Sequence, residues 1–512
     1  MELETGSTYA WVLALAIITW SAYAFSRKER LPRVEFLRLN EGPGKAGDAK
    51  DVQLFLDDSL GAIMKGYNEY SKKGKNFLLR APKQVYFIAA PRFLDEIRKA
   101  PETHLSQPAA ANIIFQTRHT LHPALVDDVY HYDVVRKGLG QALPRILPAL
   151  AKEAQFSFKI ELGILPDCTE VTVFPLATKI ITRISNRMMV GPELCRNDEF
   201  LHYSGIYTKA TFDSAALLRN LPEFLKGPAM IFMTTHRKEQ ETARKYLIPM
   251  IKERLTSKNS SGEKPDDALQ WLLNITPPEK ADPETLLQRM IHINVTAIHA
   301  PAVTLTECIF DLCHHPKIHE ELRDEIAQVL GNKPVDQVWT KMNMDRLVKM
   351  DSFIRESARL TPMSAVKMER LAVKDFTLSD GTLVPRGTSV GVISHGRHMD
   401  EDILENARTF DAFRYARLRD QPGMENQYTF AQASPDNMMF GLGRHACPGR
   451  HFASALIKLV LVHLLVSHDV KILEGRPLPQ SKWTQKFRNP DFTATVAFSS
   501  RPAEERFAGI LS

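Results

Sequence analysis

The run PETLLQRMIHINVTAIHAPAVTLTECIFDLCHHP, Pro283 to Pro316, constrains the fold more than any other part of the chain. Asp282 precedes it as an N-cap and Pro283 takes the first helical position, so a helix starts here and runs to about His314, roughly 45 Å. From Met290 to Leu305 it is apolar on nearly every side. A helix with no polar stripe has to pass through a core. Pro301 interrupts it, at a cost of about 3 kcal/mol or more, because its ring removes a donor and crowds the preceding turn. The bland account of Pro301 is a tolerated kink in a core helix.

Most of the remaining chain has helical periodicity. HHPKIHEELRDEIAQVLG carries Pro316 in its first turn and Gly331 as a C-cap. MDSFIRESARLTP stops before Pro362, and PGRHFASALIKLVLVHLLVSHDV is a second long apolar helix. Strand patterns are short: KQVYFIAAP, then LAVKDFTLSDGTLVPRGTSVGVI with a hairpin signal at Asp380-Gly381, and TATVAFSS. The expected class is mainly α with small β-sheets. There is no internal repeat, and TSKNSSGEKPDD (Thr256 to Asp267) is a surface loop rather than a linker, so residues 31–512 form one domain.

Residues 1–30 read as a membrane anchor. YAWVLALAIITWSAYAF, Tyr9 to Phe25, is uncharged, at the lower length limit of a span, with Trp11, Trp20 and Tyr23 near its ends. SRKER follows, so the body should stay cytosolic. A cleaved signal peptide is the competing reading, since Ala22-Tyr23-Ala24 resembles a cleavage site, but the first residues are acidic. Five cysteines in 512 residues fit a reducing compartment, and a net charge of +6 without basic blocks gives no reason to expect nucleic acid.

Chemistry concentrates in FGLGRHACPGRHFA, Phe440 to Ala453. Glycines let a backbone approach a flat ligand, basic groups favour a thiolate, and a helix starting after Cys447 aims its positive end at the sulfur. The residues alone leave a metal-ligating thiolate and a structural cysteine in a glycine turn both open. The segment resembles the cysteine loop of the cytochrome P450 enzymes, F-x-x-G-x-[RH]-x-C-x-G, with Phe440, Gly443, His445, Cys447 and Gly449 in its defined positions. ESAR supplies the E-x-x-R pair Glu356 and Arg359, and FDAFRY supplies the third member of a structural triad, Arg414.

The resemblance implies a cytochrome P450 fold and haem b, its iron ligated by Cys447, with Gly449 the first candidate amide donor to the sulfur. It places Arg370 and His445 at the propionates. The helix motif W-x-x-x-R appears as YDVVR, with Tyr132 for tryptophan and Arg136 retained as a propionate partner. Along the oxygen-binding helix, His299 stands at the usual acid and Ala300 at the usual threonine, so Thr296, His299 and Thr304 are the candidate proton relay. Pro301 frees the Ala297 carbonyl to accept from water. Ile298, Ala300, Met363, Ser364 and Val366 are candidate pocket residues.

Electrons are expected from NADPH through NADPH-cytochrome P450 reductase, with cytochrome b5 as an optional donor, docking on a basic face of Arg136, Lys137, Arg417, Arg419, Arg444 and Arg450. AIH and ISNRMMVGPELCRNDEFL look like the fungal microsomal branch that includes ent-kaurene oxidases. That implies the endoplasmic reticulum membrane and a bulky apolar substrate, a terpenoid or indole diterpene. The leading expectation is a membrane-anchored monooxygenase consuming O2. The alternatives are a haem-thiolate isomerase or peroxide-rearranging enzyme that needs no reductase, and a non-catalytic haem binder.

Overall fold

The computed structural model describes residues 30–257, 264–331 and 333–511. The expected span Tyr9–Phe25 lies outside them. The chain is mainly helical, with four small sheets among the described residues. The central helix covers Pro283–His314, and the Asp282 carboxylate caps it by accepting from the Thr285 amide. Helices Val173–Leu194, Asp198–Leu218, His236–Thr256, Val348–Leu360 and Arg450–Ser467 pack around it, with Gly140–Glu161 behind them, and their apolar faces form one continuous core. The central helix and Arg450–Ser467 are long and apolar enough to cross a bilayer, but most of each is buried inside the protein.

The largest sheet has the order Phe77–Ala81, Gln84–Ile88, Ser389–Ile393, Val366–Ala372, Leu105–Ser106. Gln84–Ile88 and Ser389–Ile393 run parallel, and the other pairs are antiparallel. The Asp380-Gly381 signal makes the turn between Phe376–Thr377 and Leu383–Val384, with Gly381 at φ +84°. TATVAFSS supplies the middle strand, Thr495–Ser500, of a separate three-stranded sheet.

Two boundary expectations change. The helix after His315 begins at Ile318, leaving Pro316 in the preceding turn, and it continues into a wider turn at Ala327–Gly331. Gly331 is not a left-handed cap. A Cβ there would lie 2.2 Å from the Arg506 carbonyl oxygen, so close approach of the C-terminal segment is what requires glycine.

Glu356 is 0 % exposed on the helix Val348–Leu360. Arg359 reaches both its oxygens at 2.8 Å, and Arg414 reaches one at 3.2 Å. The arginines spend their other donors on the carbonyls of His398, Glu405, Asn406, Ala407 and Thr409. One buried carboxylate therefore fixes the irregular segment leading toward the cysteine loop.

Replacing Glu356 by Gln leaves two buried guanidinium groups without a counter-charge. Denaturant unfolding should show a loss of about 3–5 kcal/mol. Breaking the exposed Lys341–Asp345 pair should cost less than about 1 kcal/mol.

Candidate functional site

The cysteine loop is shaped by two left-handed glycines, Gly441 at φ +72° and Gly443 at φ +67°. A Cβ on Gly443 would also lie 2.4 Å from Arg98 Cγ. The Cys447 amide donates to the Phe440 carbonyl at 2.7 Å, and the Phe440 ring meets Phe430 edge-on at 5.2 Å. Pro448 has no N–H, and the amides of Gly449 and Arg450 point at the sulfur. The helix Arg450–Ser467 starts there and presents its positive end. Burial pushes the Cys447 thiol up, while those amides and the charges of Arg450 and Lys367 pull it back. A softer counter-charge such as a metal ion would complete that environment.

A second feature faces the same region. Lys367 pairs with Val392 across the sheet and Arg370 with Val390, with a bulge between them where Met368 takes φ +58°. Val390 and Val392 share a face, so the bulge puts Lys367 and Arg370 on one face despite their odd spacing. Arg370 is buried and its Nη2 has no hydrogen-bond partner. Burial lowers its pKa to about 10, with Glu102 and Glu369 offsetting only part of that, and it forms no ion pair among the described residues. His445 Nε2 lies 2.5 Å from a Glu102 oxygen. Arg136 is half exposed, pairs with Asp133 at 3.1 Å and reaches the Arg444 carbonyl at 3.4 Å, so it braces the outside of the loop. A thiolate cradle and an orphaned buried cation fit a haem, with its thiolate-bound iron and its carboxylates.

On the central helix, Thr296, Ala297, His299, Ala300 and Thr304 are accessible, while Ile298 is 1 % exposed. Thr304 donates its hydroxyl to the Ala300 carbonyl at 3.1 Å, and Thr296 donates to Ile293 at 2.9 Å. His299 has no hydrogen-bond partner among the described residues. It packs on Phe212 at 4.6 Å and Phe174 at 6.3 Å, and burial pushes it down to about 4. It is a neutral imidazole, not a substitute acid. The Ala297 carbonyl freed by Pro301 accepts from Ser185 at 3.3 Å, so a neighbouring helix supplies one of its donors. Of the pocket candidates, Ala300 and Met363 are accessible. Ile298 and Val366 are packed away, as is Ser364, whose hydroxyl donates to the Val366 carbonyl at 2.8 Å.

Sequence reasoning missed a buried chain at the start of this helix. Arg289 Nη1 lies 2.9 Å from His131 Nδ1, and His131 Nε2 lies 2.9 Å from His292 Nδ1. The Tyr132 ring packs beside both histidines. These partners are far apart in sequence, and no spacing rule pairs them.

The cytochrome P450 family model matches residues 109–496. The chain belongs to the cytochrome P450 family. Among curated relatives, cytochrome P450 monooxygenase AN1598 of Emericella nidulans is 29 % identical over 499 residues, 96 % of this chain and 91 % of that protein. Cytochrome P450 monooxygenases olcJ of Penicillium canescens and paxP of Penicillium paxilli are each 32 % identical over 80 % of this P450, covering 78 % and 79 % of their own lengths. The fold matches the retinoic acid-bound cyanobacterial CYP120A1 with a TM-score of 0.63 at 18 % identity, over 88 % of this chain and 96 % of that one. This P450 is thus an oxidoreductase of the monooxygenase family, whose cofactor is a haem-thiolate iron.

Burial, with added repulsion from His292 and Arg289 at His131 and from Arg289 at His292, lowers His131 to about 2, His292 to about 4 and His299 to about 4, from 6.5. The unfolded chain therefore binds more protons between about pH 6.5 and 4. Stability should fall on acidification through that window, by up to about 1.4 kcal/mol per pH unit for each histidine. Unfolding midpoints measured from pH 7.5 to 4.5 should decline below 6.5 and be insensitive to these groups above it.

Proposed function

We propose that this P450 is a membrane-anchored monooxygenase that inserts one oxygen atom from O2 into a bulky apolar substrate, a terpenoid or indole-diterpene intermediate of fungal secondary metabolism. The observation that carries the reading is the Cys447 loop, with two amides on the sulfur and a helix N-terminus behind it. Cys447 would ligate the haem, Phe440 would pack beside the ligand, and Arg370, His445 and the loop glycines would hold its edge. Bound there, the haem supplies a thiolate-ligated iron whose electron density favours O–O cleavage.

The protein's own groups exclude water and move protons. Aromatic rings flank His299 and keep it neutral, so it can donate only its single ring proton. Thr304 places a hydroxyl on the Ala300 carbonyl, one turn beyond the missing alcohol, and that oxygen retains lone pairs to accept from water or substrate. Thr304 is the member of the expected relay best placed to serve.

Electrons would come from NADPH through a flavoprotein reductase, with cytochrome b5 as a second donor. Arg136, Lys137, Arg417 and Arg444 are exposed around the cysteine side. Arg419 drops out of that face, since it is only 10 % exposed and pairs with Asp351. A membrane location is supported by the helix Glu223–Phe232, where Phe224, Leu225, Ile231 and Phe232, with Met233 after it, are all exposed. Such a contiguous apolar surface is matched by a lipid interface.

Product formation by the chain in membranes should require both NADPH and reductase, and turnover that ignores both would favour the isomerase reading. Cys447→Ser should remove the thiolate-type Soret band of the reduced CO complex, and retention of that band would mean another ligand. Thr304→Ala should raise NADPH consumed per product, by up to about a hundred-fold, the lower end of the range for a lost proton-transfer group. Unchanged coupling would point to a substrate hydroxyl as the proton carrier.

A further inference from the structure

The hydrogen-bond chain Arg289–His131–His292 has only one possible direction. Arginine carries donors and no acceptor, so His131 Nδ1 must accept. His131 then holds its proton on Nε2 and donates it to His292 Nδ1. His292 must in turn carry its proton on Nε2. The far end is anchored as well: Arg289 donates to the Asp128 carbonyl at 2.6 Å and lies across the Tyr130 ring at 3.9 Å. His131 is 0 % exposed and Arg289 is 2 % exposed, so the His131 tautomer is not exchanged freely with solvent. Both histidines stay neutral through burial and the adjacent guanidinium.

His292 keeps a small exposed edge, and no described residue accepts from its Nε2–H. It shares a helix face with Thr296 and Ala300 at i, i+4 and i+8. Eight residues of helix place it about 12 Å from Ala300 along the axis. A neutral, orientation-locked N–H is thus offered at a set distance from the point where oxygen chemistry is expected.

We infer that His292 Nε2–H is a specificity donor for a hydroxyl or carbonyl oxygen of the substrate, held about 12 Å along the central helix from the carbon that is oxidised. It selects molecules that are apolar at the reacting end and carry an oxygen at the other, and so fixes which carbon meets the haem. The inference rests on family membership and on this hydrogen-bond chain, not on the terpenoid reading. A haem propionate is the other oxygen acceptor that could take this donor, and the test separates the two.

The test uses full-length haem-loaded protein and a series of ω-imidazolyl-alkanols with the matching imidazolyl-alkanes. The imidazole end ligates the iron, the chain length sets where the hydroxyl falls, and the Soret shift reports affinity. In the wild type, one range of chain lengths should show about five-fold tighter binding of the alcohol than of the alkane, as one net hydrogen bond gives. His292→Phe should erase that preference while leaving alkane affinity and the CO spectrum unchanged, and His292→Gln, which keeps an N–H near the Nε2 position, should restore part of it. His131→Phe should weaken the preference without touching alkane affinity, because it releases the tautomer.

Absence of any hydroxyl preference in the wild type overturns the inference, as does the same preference in His292→Phe. A shifted haem midpoint potential in ligand-free His292→Phe with the preference intact would assign the donor to a propionate, and also overturns it. If His292→Phe fails to load haem, the comparison of His292→Gln and His131→Phe with the wild type decides.

Discussion

The rest of the site depends on the buried charge of Glu356. A carboxylate with no solvent contact is stable only when its counter-charges are held in place, and Arg359 and Arg414 meet that need. Having done so, they extend across five backbone carbonyls between His398 and Thr409. That stretch has little regular structure of its own, so its backbone acceptors would otherwise go unmet. The polypeptide reaches the cysteine loop from a fixed starting point because one carboxylate is clamped. Nearby, the Asp351 carboxylate accepts from the Phe430 amide at 2.7 Å and pairs with Lys458 at 2.6 Å. It ties Val348–Leu360 to the helix whose N-terminus faces Cys447.

The central helix was legible because its signals are local: the Asp282 cap, Pro283, and an apolar surface all round. The cysteine loop was legible for the same reason, since its glycines, its cysteine and the start of the following helix lie within fourteen residues of sequence. What the sequence hid is contact between distant segments. His131 and His292 are 161 residues apart, and neither carries a pattern that announces the other. Ser185 donates to the Ala297 carbonyl across 112 residues, a helix–helix contact that no local pattern announces. Gly331 has the composition of a cap, yet the Arg506 carbonyl explains it. The exposed Phe224–Leu225 and Ile231–Met233 pairings were readable in the sequence as apolar residues, but only folding shows that nothing covers them.

The helical core and the small sheet divide the work. The helices set the distances along the oxygen face, because rise per residue is fixed once a helix is packed. The sheet sets charge, through Lys367 and Arg370. Pro301 joins the two themes. Its ring opens one backbone bond in the central helix, and the hydroxyl of Ser185 donates to the freed carbonyl, so that acceptor is not left unmet.

The bulge at Met368 makes residue count a component of the chemistry. In a regular strand, positions three apart point to opposite faces, and Arg370 would turn away from the side that Lys367 occupies. Straightening the bulge with every residue kept would leave the composition intact. It would nonetheless carry a positive charge through half a turn, from the ligand side to the opposite side of the sheet. Within this short stretch, the irregularity of the backbone therefore matters as much as the identity of its residues.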